Sequence, residues 1–286
     1  MKRLLLATTL LAMTGTGALA DVALSGDARM GLTSVNGGKS FDFSSRARVR
    51  FTLSGETDSG IKFGAVFRAQ EAVDAAAGTA GTVFVEAADY GRLTMGDADG
   101  AVQAAVVQFP TIGYDEAGKR QEMAFLTGGS KSKGIDALYA YTKGNLLVAV
   151  SAGNPGAATG NGATQNGDDF GIAAAYTTEF WKVAAGYEDD GVNSQMVISG
   201  SYGNGQAEVK AAYGARDDNK DQYAVFGTYI LGHTTLNAFF RKDFADLDYT
   251  GIGATHDLGG GLSLQAAYAT KSGADAIISI GAAMTF

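Results

Sequence analysis

From Asp21 to Phe286 the chain repeats one pattern, an apolar side chain at every second position followed by a turn, as in Ile61/Phe63/Ala65/Phe67, Trp181/Val183/Ala185/Tyr187 and Ile278/Ile280/Ala282/Met284/Phe286. A period of two places these side chains on one face of an extended strand and their neighbours on the other. The neighbours are polar or very small: Lys62/Gly64/Arg68/Gln70, Lys182/Ala184/Gly186/Glu188 and Glu208/Lys210/Ala212. Counted from Val22/Leu24/Ala28/Met30/Leu32, sixteen such segments follow one another. Short turns such as DYG, TKGN and GNG alternate with longer or more charged connections such as VNGGKS, ARDDNK and DFADLD. That rhythm predicts an all-β antiparallel meander with short turns on one rim and long loops on the other.

The number of segments decides which face is inside. A barrel of eight to ten strands can fill its centre with side chains, whereas a ring of sixteen is too wide to be filled. Apolar rows must then face lipid, and polar rows a watery lumen. In SSRARVRF the residues Arg46, Arg48 and Arg50 share one face, while Ala47, Val49 and Phe51 share the other. Turned toward lipid, each arginine would cost about 2–4 kcal/mol near the midplane. A sixteen-stranded transmembrane β-barrel over 21–286 is the fold that these rows predict. Tyr141, Tyr176, Tyr202 and Tyr229 end outward rows before short turns, and Tyr187, Tyr213 and Tyr268 end them before long loops. Amphipathic rings at two rims suit the two membrane interfaces.

The first twenty residues, MKRLLLATTLLAMTGTGALA, have a basic start, a short apolar run and small residues at Ala18 and Ala20. This is the pattern of a cleavable secretory signal over 1–20. Without Lys2 and Arg3 the 22 basic residues become 20 against 30 acidic ones, a formal charge of −10 that argues against nucleic-acid binding. The acid excess predicts weak cation selectivity that fades toward molar salt. The absence of cysteine rules out disulfides and thiolate metal sites.

One connection breaks the rhythm. Residues 97–133, DADGAVQAAVVQFPTIGYDEAGKRQEMAFLTGGSKSK, are far longer than a structural connection needs. Folded into a hollow barrel, the segment would narrow the channel and present Asp97, Asp99, Asp115, Glu116 and Glu122 to the lumen.

SSRARVRFTLSGETDSGIKFGA, then YGRLTMGDADG opening the long insertion, and the final strand ending in Phe286 together resemble the Gram-negative general diffusion porins, most closely the alphaproteobacterial type. The resemblance covers essentially the whole mature chain. It implies an outer-membrane homotrimer of sixteen-stranded barrels, each with its third extracellular loop folded inward as a constriction. By position, Arg46, Arg48, Arg50 and Arg68 would be the basic wall, and Asp97, Asp99, Asp115 and Glu116 the acidic side. Phe286 would be an assembly signal read by the barrel-assembly machinery. Outer-membrane lipid, lipopolysaccharide, ions and small hydrophilic solutes are the partners implied.

Catalytic groups are sparse. His233 lies in an expected turn and His256 near the end of the weakest strand, with no recognisable triad partner. Asp217, Asn219 and Asp221 begin a calcium-loop spacing, but Gln222 and Thr228 stand where the glycine and the glutamate belong, which leaves only opportunistic calcium on loop carboxylates. GNPGAATGNG lacks the Lys-Ser/Thr pair of a phosphate loop. No cofactor and no enzyme activity are expected. The reading is passive diffusion through a water-filled channel; the alternatives are a substrate-selective channel, or a non-conducting barrel serving as an adhesin or structural protein.

Overall fold

The computed structural model describes residues 21–71, 81–128, 136–153 and 169–286. The expected signal at 1–20 and the end of the expected constriction segment, 129–133, lie outside the described residues.

Sixteen antiparallel strands are found among them, and all sixteen segments expected from the alternation are present. The first six are β1 (Asp21–Ser34), β2 (Asp42–Glu56), β3 (Lys62–Glu71), β4 (Thr82–Ala87), β5 (Gly91–Gly96) and β6 (Asp136–Lys143). Next come β7 (Leu146–Ala152), β8 (Phe170–Thr177), β9 (Trp181–Asp189), β10 (Ser194–Gly203) and β11 (Ala207–Arg216). The ring is completed by β12 (Asp221–Leu231), β13 (Thr234–Lys242), β14 (Asp248–Gly259), β15 (Leu262–Lys271) and β16 (Ala274–Thr285). Each strand pairs with its neighbours in the chain, and β1 pairs with β16, so the sheet closes. At the seam Asp27 stands opposite Thr285 and Ser34 opposite Ile278. There the Phe286 N–H donates to Gly26 O at 2.9 Å and the Gly26 N–H to Phe286 O at 3.2 Å. Closure gives every strand a hydrogen-bonded neighbour on both sides, which is the condition for sheet to exist in hydrocarbon.

The two faces divide as the alternation predicts. Val22, Leu24, Met30, Ile198 and Ile252 are each more than half exposed on the outside. An apolar surface of this extent needs a covering phase, and a bilayer supplies it. Tyr176, Tyr202 and Tyr229 are exposed close to the short turns, and Tyr213 and Tyr268 close to the long loops.

Inside, the lumen is only partly empty. Residues 98–127 carry helix α1 (Ala101–Val106) and a tight turn at Glu116–Lys119, and they pack on the inner face. Ala101, Val102, Ala105, Val106 and Phe125 bury themselves against Ala149, Ala173, Ala175, Ala184 and Val197 of β7 to β10. Phe109, Ile112 and Met123 do the same against Ala212, Ala224, Phe226, Phe239 and Tyr249 of β11 to β14. The small inward residues of β7 to β9 make room for helical backbone. On β14, a Cβ at Gly253 would stand 2.9 Å from the Ile112 side chain, so glycine is what lets that side chain seat. Phe226, Phe239 and Tyr249 depart from the polar-inside rule because this part of the wall faces the packed segment and not water.

Candidate pore constriction

The inner face of β2 presents Arg46, Arg48 and Arg50 in one row, with Arg29 opposite Arg46 on β1 and Arg68 opposite Arg50 on β3. Like charges in directly facing pairs destabilise a sheet, so this concentration serves something other than the fold. Arg48 Nε donates to Gln70 Oε1 at 2.6 Å. Arg46 Nη2 meets Asp27 Oδ1 at 3.2 Å.

The insertion reaches this wall through its turn. Arg46 Nη1 and Arg29 Nη1 both grip Glu116 Oε1, at 2.9 and 3.2 Å. Arg29 Nη1 also donates to Tyr114 O at 3.0 Å. Asp115 accepts from Thr33 Oγ1 at 2.5 Å and caps the turn by accepting the Ala117 N–H at 3.1 Å. Glu116, Ala117 and Lys119 are left-handed, with φ of 68°, 43° and 55°. Side-chain-bearing residues adopt that conformation at a cost, and the grip of two arginines holds it here. Burial pushes the Glu116 carboxyl up, but the Arg46 hydrogen bond and the charges of Arg29, Arg46 and Lys119 outweigh it and leave the group below its ordinary value.

The acidic residues do not gather into one wall facing the arginines. Asp115 and Glu116 touch the basic wall itself. Asp97 and Asp99 lie at the neck of the insertion, where Asp99 Oδ1 accepts from Gln103 Nε2 at 2.8 Å and Asp99 bridges to Gly128. At Gly128, φ is +80° and a Cβ would fall 1.8 Å from Gly100 N, so the two legs of the insertion meet only because glycine is there. Glu122 sits behind the turn, 3.6 Å from Lys119.

Several residues that the sequence did not single out hold the segment in place. Glu188 of β9 is fully buried and accepts from Leu126 N at 2.7 Å, Thr127 N at 3.2 Å, Thr127 Oγ1 at 2.8 Å and Gln195 Nε2 at 2.5 Å. Gln222 of β12 imitates a strand partner, accepting the Ala124 N–H at 2.9 Å and donating to Ala124 O at 2.6 Å. Gln108 treats Met123 in the same way, at 2.8 and 2.9 Å. Lys210 of β11 donates to the Val106 and Val107 carbonyls at the end of α1, the first at 2.8 Å. Irregular backbone inside a barrel needs such partners for its own polar groups. The inward parity of Glu188 and Lys210 was legible in the sequence, but their partners were not.

Comparison with known proteins gives the same result. Residues 7–276 match the family model of the Gram-negative porin. The chain belongs to the Gram-negative porin family. It is similar to a porin of Rhodobacter capsulatus, 33% identical over 282 residues that cover 85% of this chain and 92% of that one. A porin of Fuscovulum blasticum is 29% identical, covering 89% and 98%. Among solved structures, a porin refined at 1.8 Å superimposes with a TM-score of 0.80 at 30% identity, covering 93% of this chain and all of that one. The barrel is therefore a porin barrel and the chain an outer-membrane diffusion channel, a channel rather than an enzyme. A substrate-selective channel or an adhesin is not what the family favours. In this porin the two histidines sit near the short-turn rim: His233 O accepts the Asp257 N–H at 2.9 Å, and His256 Nδ1 pairs with Thr234 Oγ1 at 2.9 Å. Asp217 pairs with Ser194 and Asp221 with Tyr213, and among the described residues no three carboxylate or imidazole groups converge on a common point.

Proposed function

We propose that ions and small hydrophilic solutes pass between the arginine row of β2 and β3 and the inner segment, with Arg48, Arg50 and Arg68 lining the narrowest part. The observation that carries this reading is the one-sided packing: residues 98–127 bury against β7 to β15 and touch β1 and β2 only through the turn at Tyr114–Glu116, so that among the described residues the Arg48, Arg50 and Arg68 face is the wall that the segment does not cover. Glu116 pins the turn against that wall, and Asp115 supports it. Asp97 and Asp99 act at the neck of the insertion. The test is single-channel recording in planar bilayers. Wild type is expected to give a steady ohmic current, and Arg48→Ala/Arg50→Ala/Arg68→Ala a larger current with greater preference for cations. No change in either quantity would place the passage elsewhere.

The native assembly in this reading is a homotrimer in outer-membrane lipid and lipopolysaccharide, exported by the signal at 1–20. Analytical ultracentrifugation in mild detergent tests the trimer, and a species of monomer mass would refute it. Phe286 closes the β1–β16 seam with two main-chain bonds and is 79% exposed, where assembly machinery could reach it. Deleting Phe286 is expected to lower the yield of folded barrel in the outer membrane several-fold. An undiminished yield, measured as heat-modifiable protein in membrane fractions, would remove that role.

A further inference from the structure

Lys182, Ser201 and Lys210 form one row across the inner faces of β9, β10 and β11, since Ser201 pairs with each lysine. Glu208 stands on the same face of β11 as Lys210, two residues nearer the short-turn rim. Lys210 is already engaged with the end of α1. The side chains of Lys182 and Glu208 make no hydrogen bond or ion pair among the described residues, although Glu208 lies near enough to Lys210 to act on its charge. Yet both line the same two cavities, one of about 380 Å³ at the short-turn rim and one of about 210 Å³ beside Val106–Gln108 of the inner segment. Even the smaller has room for about seven waters at roughly 30 Å³ each, enough for a small solute.

Unlike charges that face one cavity without touching select against simple ions. An anion drawn to Lys182 is repelled by Glu208, and a cation drawn to Glu208 is repelled by Lys182. A solute that carries both charges completes both pairs. We propose that Lys182 and Glu208 form a dipolar-ion subsite that takes the carboxylate and the ammonium of a small zwitterion of the amino-acid class. This rests on the channel reading for its place on the route. Its exposure to water makes it weak, as a site on a conducting path must be if the solute is to leave.

Saturation-transfer NMR on the folded barrel in detergent micelles reads binding without requiring conduction, so its failure is separate from failure of the channel reading, which the bilayer currents test. The best of glycine, 4-aminobutyrate and 6-aminohexanoate is expected to bind more tightly than acetate or ethylammonium. Lys182→Met and Glu208→Gln should each weaken it about two- to fivefold, the range of exposed ion pairs, and the double variant should be no weaker than the worse single one. Neither residue holds the inner segment, so strand content and the protease resistance of residues 98–127 should persist in both variants. Acetate or ethylammonium binding as tightly as every zwitterion, or both single variants binding like wild type, would overturn the proposal.

Discussion

Replacing Glu188 by alanine is expected to raise single-channel conductance and its noise while leaving the barrel intact. The carboxylate is fully buried and accepts four hydrogen bonds, three from Leu126 and Thr127 of the insertion and one from Gln195. Its removal leaves these buried donors without their acceptor, a loss on the order of 3–5 kcal/mol for a buried, hydrogen-bonded group. That is ample to free a segment whose own secondary structure is one short helix and one turn. The ring does not depend on it, because every strand is held by main-chain pairing to two neighbours. Circular dichroism should therefore keep its strand signal while residues 98–127 become open to protease. Glu188→Gln keeps the shape but exchanges one acceptor for a donor, and should fall between. Unchanged current together with unchanged protease resistance in Glu188→Ala would show that the anchor is dispensable.

The second large effect concerns Glu116. Glu116→Gln removes the charge that Arg29 and Arg46 share, leaving the wall with unbalanced arginines, and selectivity should move toward anions. Arg46→Ala/Arg48→Ala/Arg50→Ala should move it toward cations and widen the passage. At about 10 Å, one unit charge acts on another by roughly 0.4 kcal/mol in bulk water and 1.7 kcal/mol at an effective dielectric of 20. The shifts in reversal potential should be plain in dilute salt and vanish near molar salt, where the screening length is about 3 Å. Because the carboxyl's pKa is lower in the folded barrel than in the free chain, its contribution is complete above the ordinary value of 4.5 and is lost as pH falls through the lowered one. Current and selectivity should hold steady from neutral pH down to that value and change only below it. Glu116→Gln should abolish the part of the acid transition that arises here. An identical acid transition in the variant, or a reversal potential equal to wild type, would mean that the turn does not border the ion path.

The acid excess that suggested cation selectivity is spread unevenly. Asp189, Asp190, Asp217, Asp218, Asp243 and Asp246 sit in or beside the loops of the long-loop rim, whereas Arg29, Arg46, Arg48, Arg50 and Arg68 crowd one stretch of the inner wall. Net charge describes the rim and the approach of ions from far away. The narrow part obeys the few charges within a screening length. In the channel proposed above, selectivity is therefore expected to follow the wall and the turn pinned to it more than the overall composition.

How much was legible follows from the range of the interactions. Alternation is a local property: a slip of one residue would turn every arginine of β2 toward lipid, so strand count, faces, rims and aromatic belts could be read from the chain directly. The arginine row was legible for that reason. Arg29, in the same inner parity as Asp27 and Thr33, could have been found by applying the alternation to β1 with equal care. Where Asp99, at the neck, and Asp115 and Glu116, at the turn, come to lie was not legible, because nearness in sequence inside an insertion without strand or long helix says nothing about nearness in space. Arg29 and Glu116 are 87 residues apart, and Leu126 and Glu188 are 62 apart. Those pairings exist only once the ring has closed and its inner wall offers Glu188, Gln195, Gln222 and Lys210 to a backbone that cannot satisfy its own polar groups. Sequence alone determined a water-filled barrel with arginines inside, because the bilayer prices each strand residue by residue. Only the tertiary structure decided which acid meets which arginine, because that choice depends on where the interior seats the inserted segment.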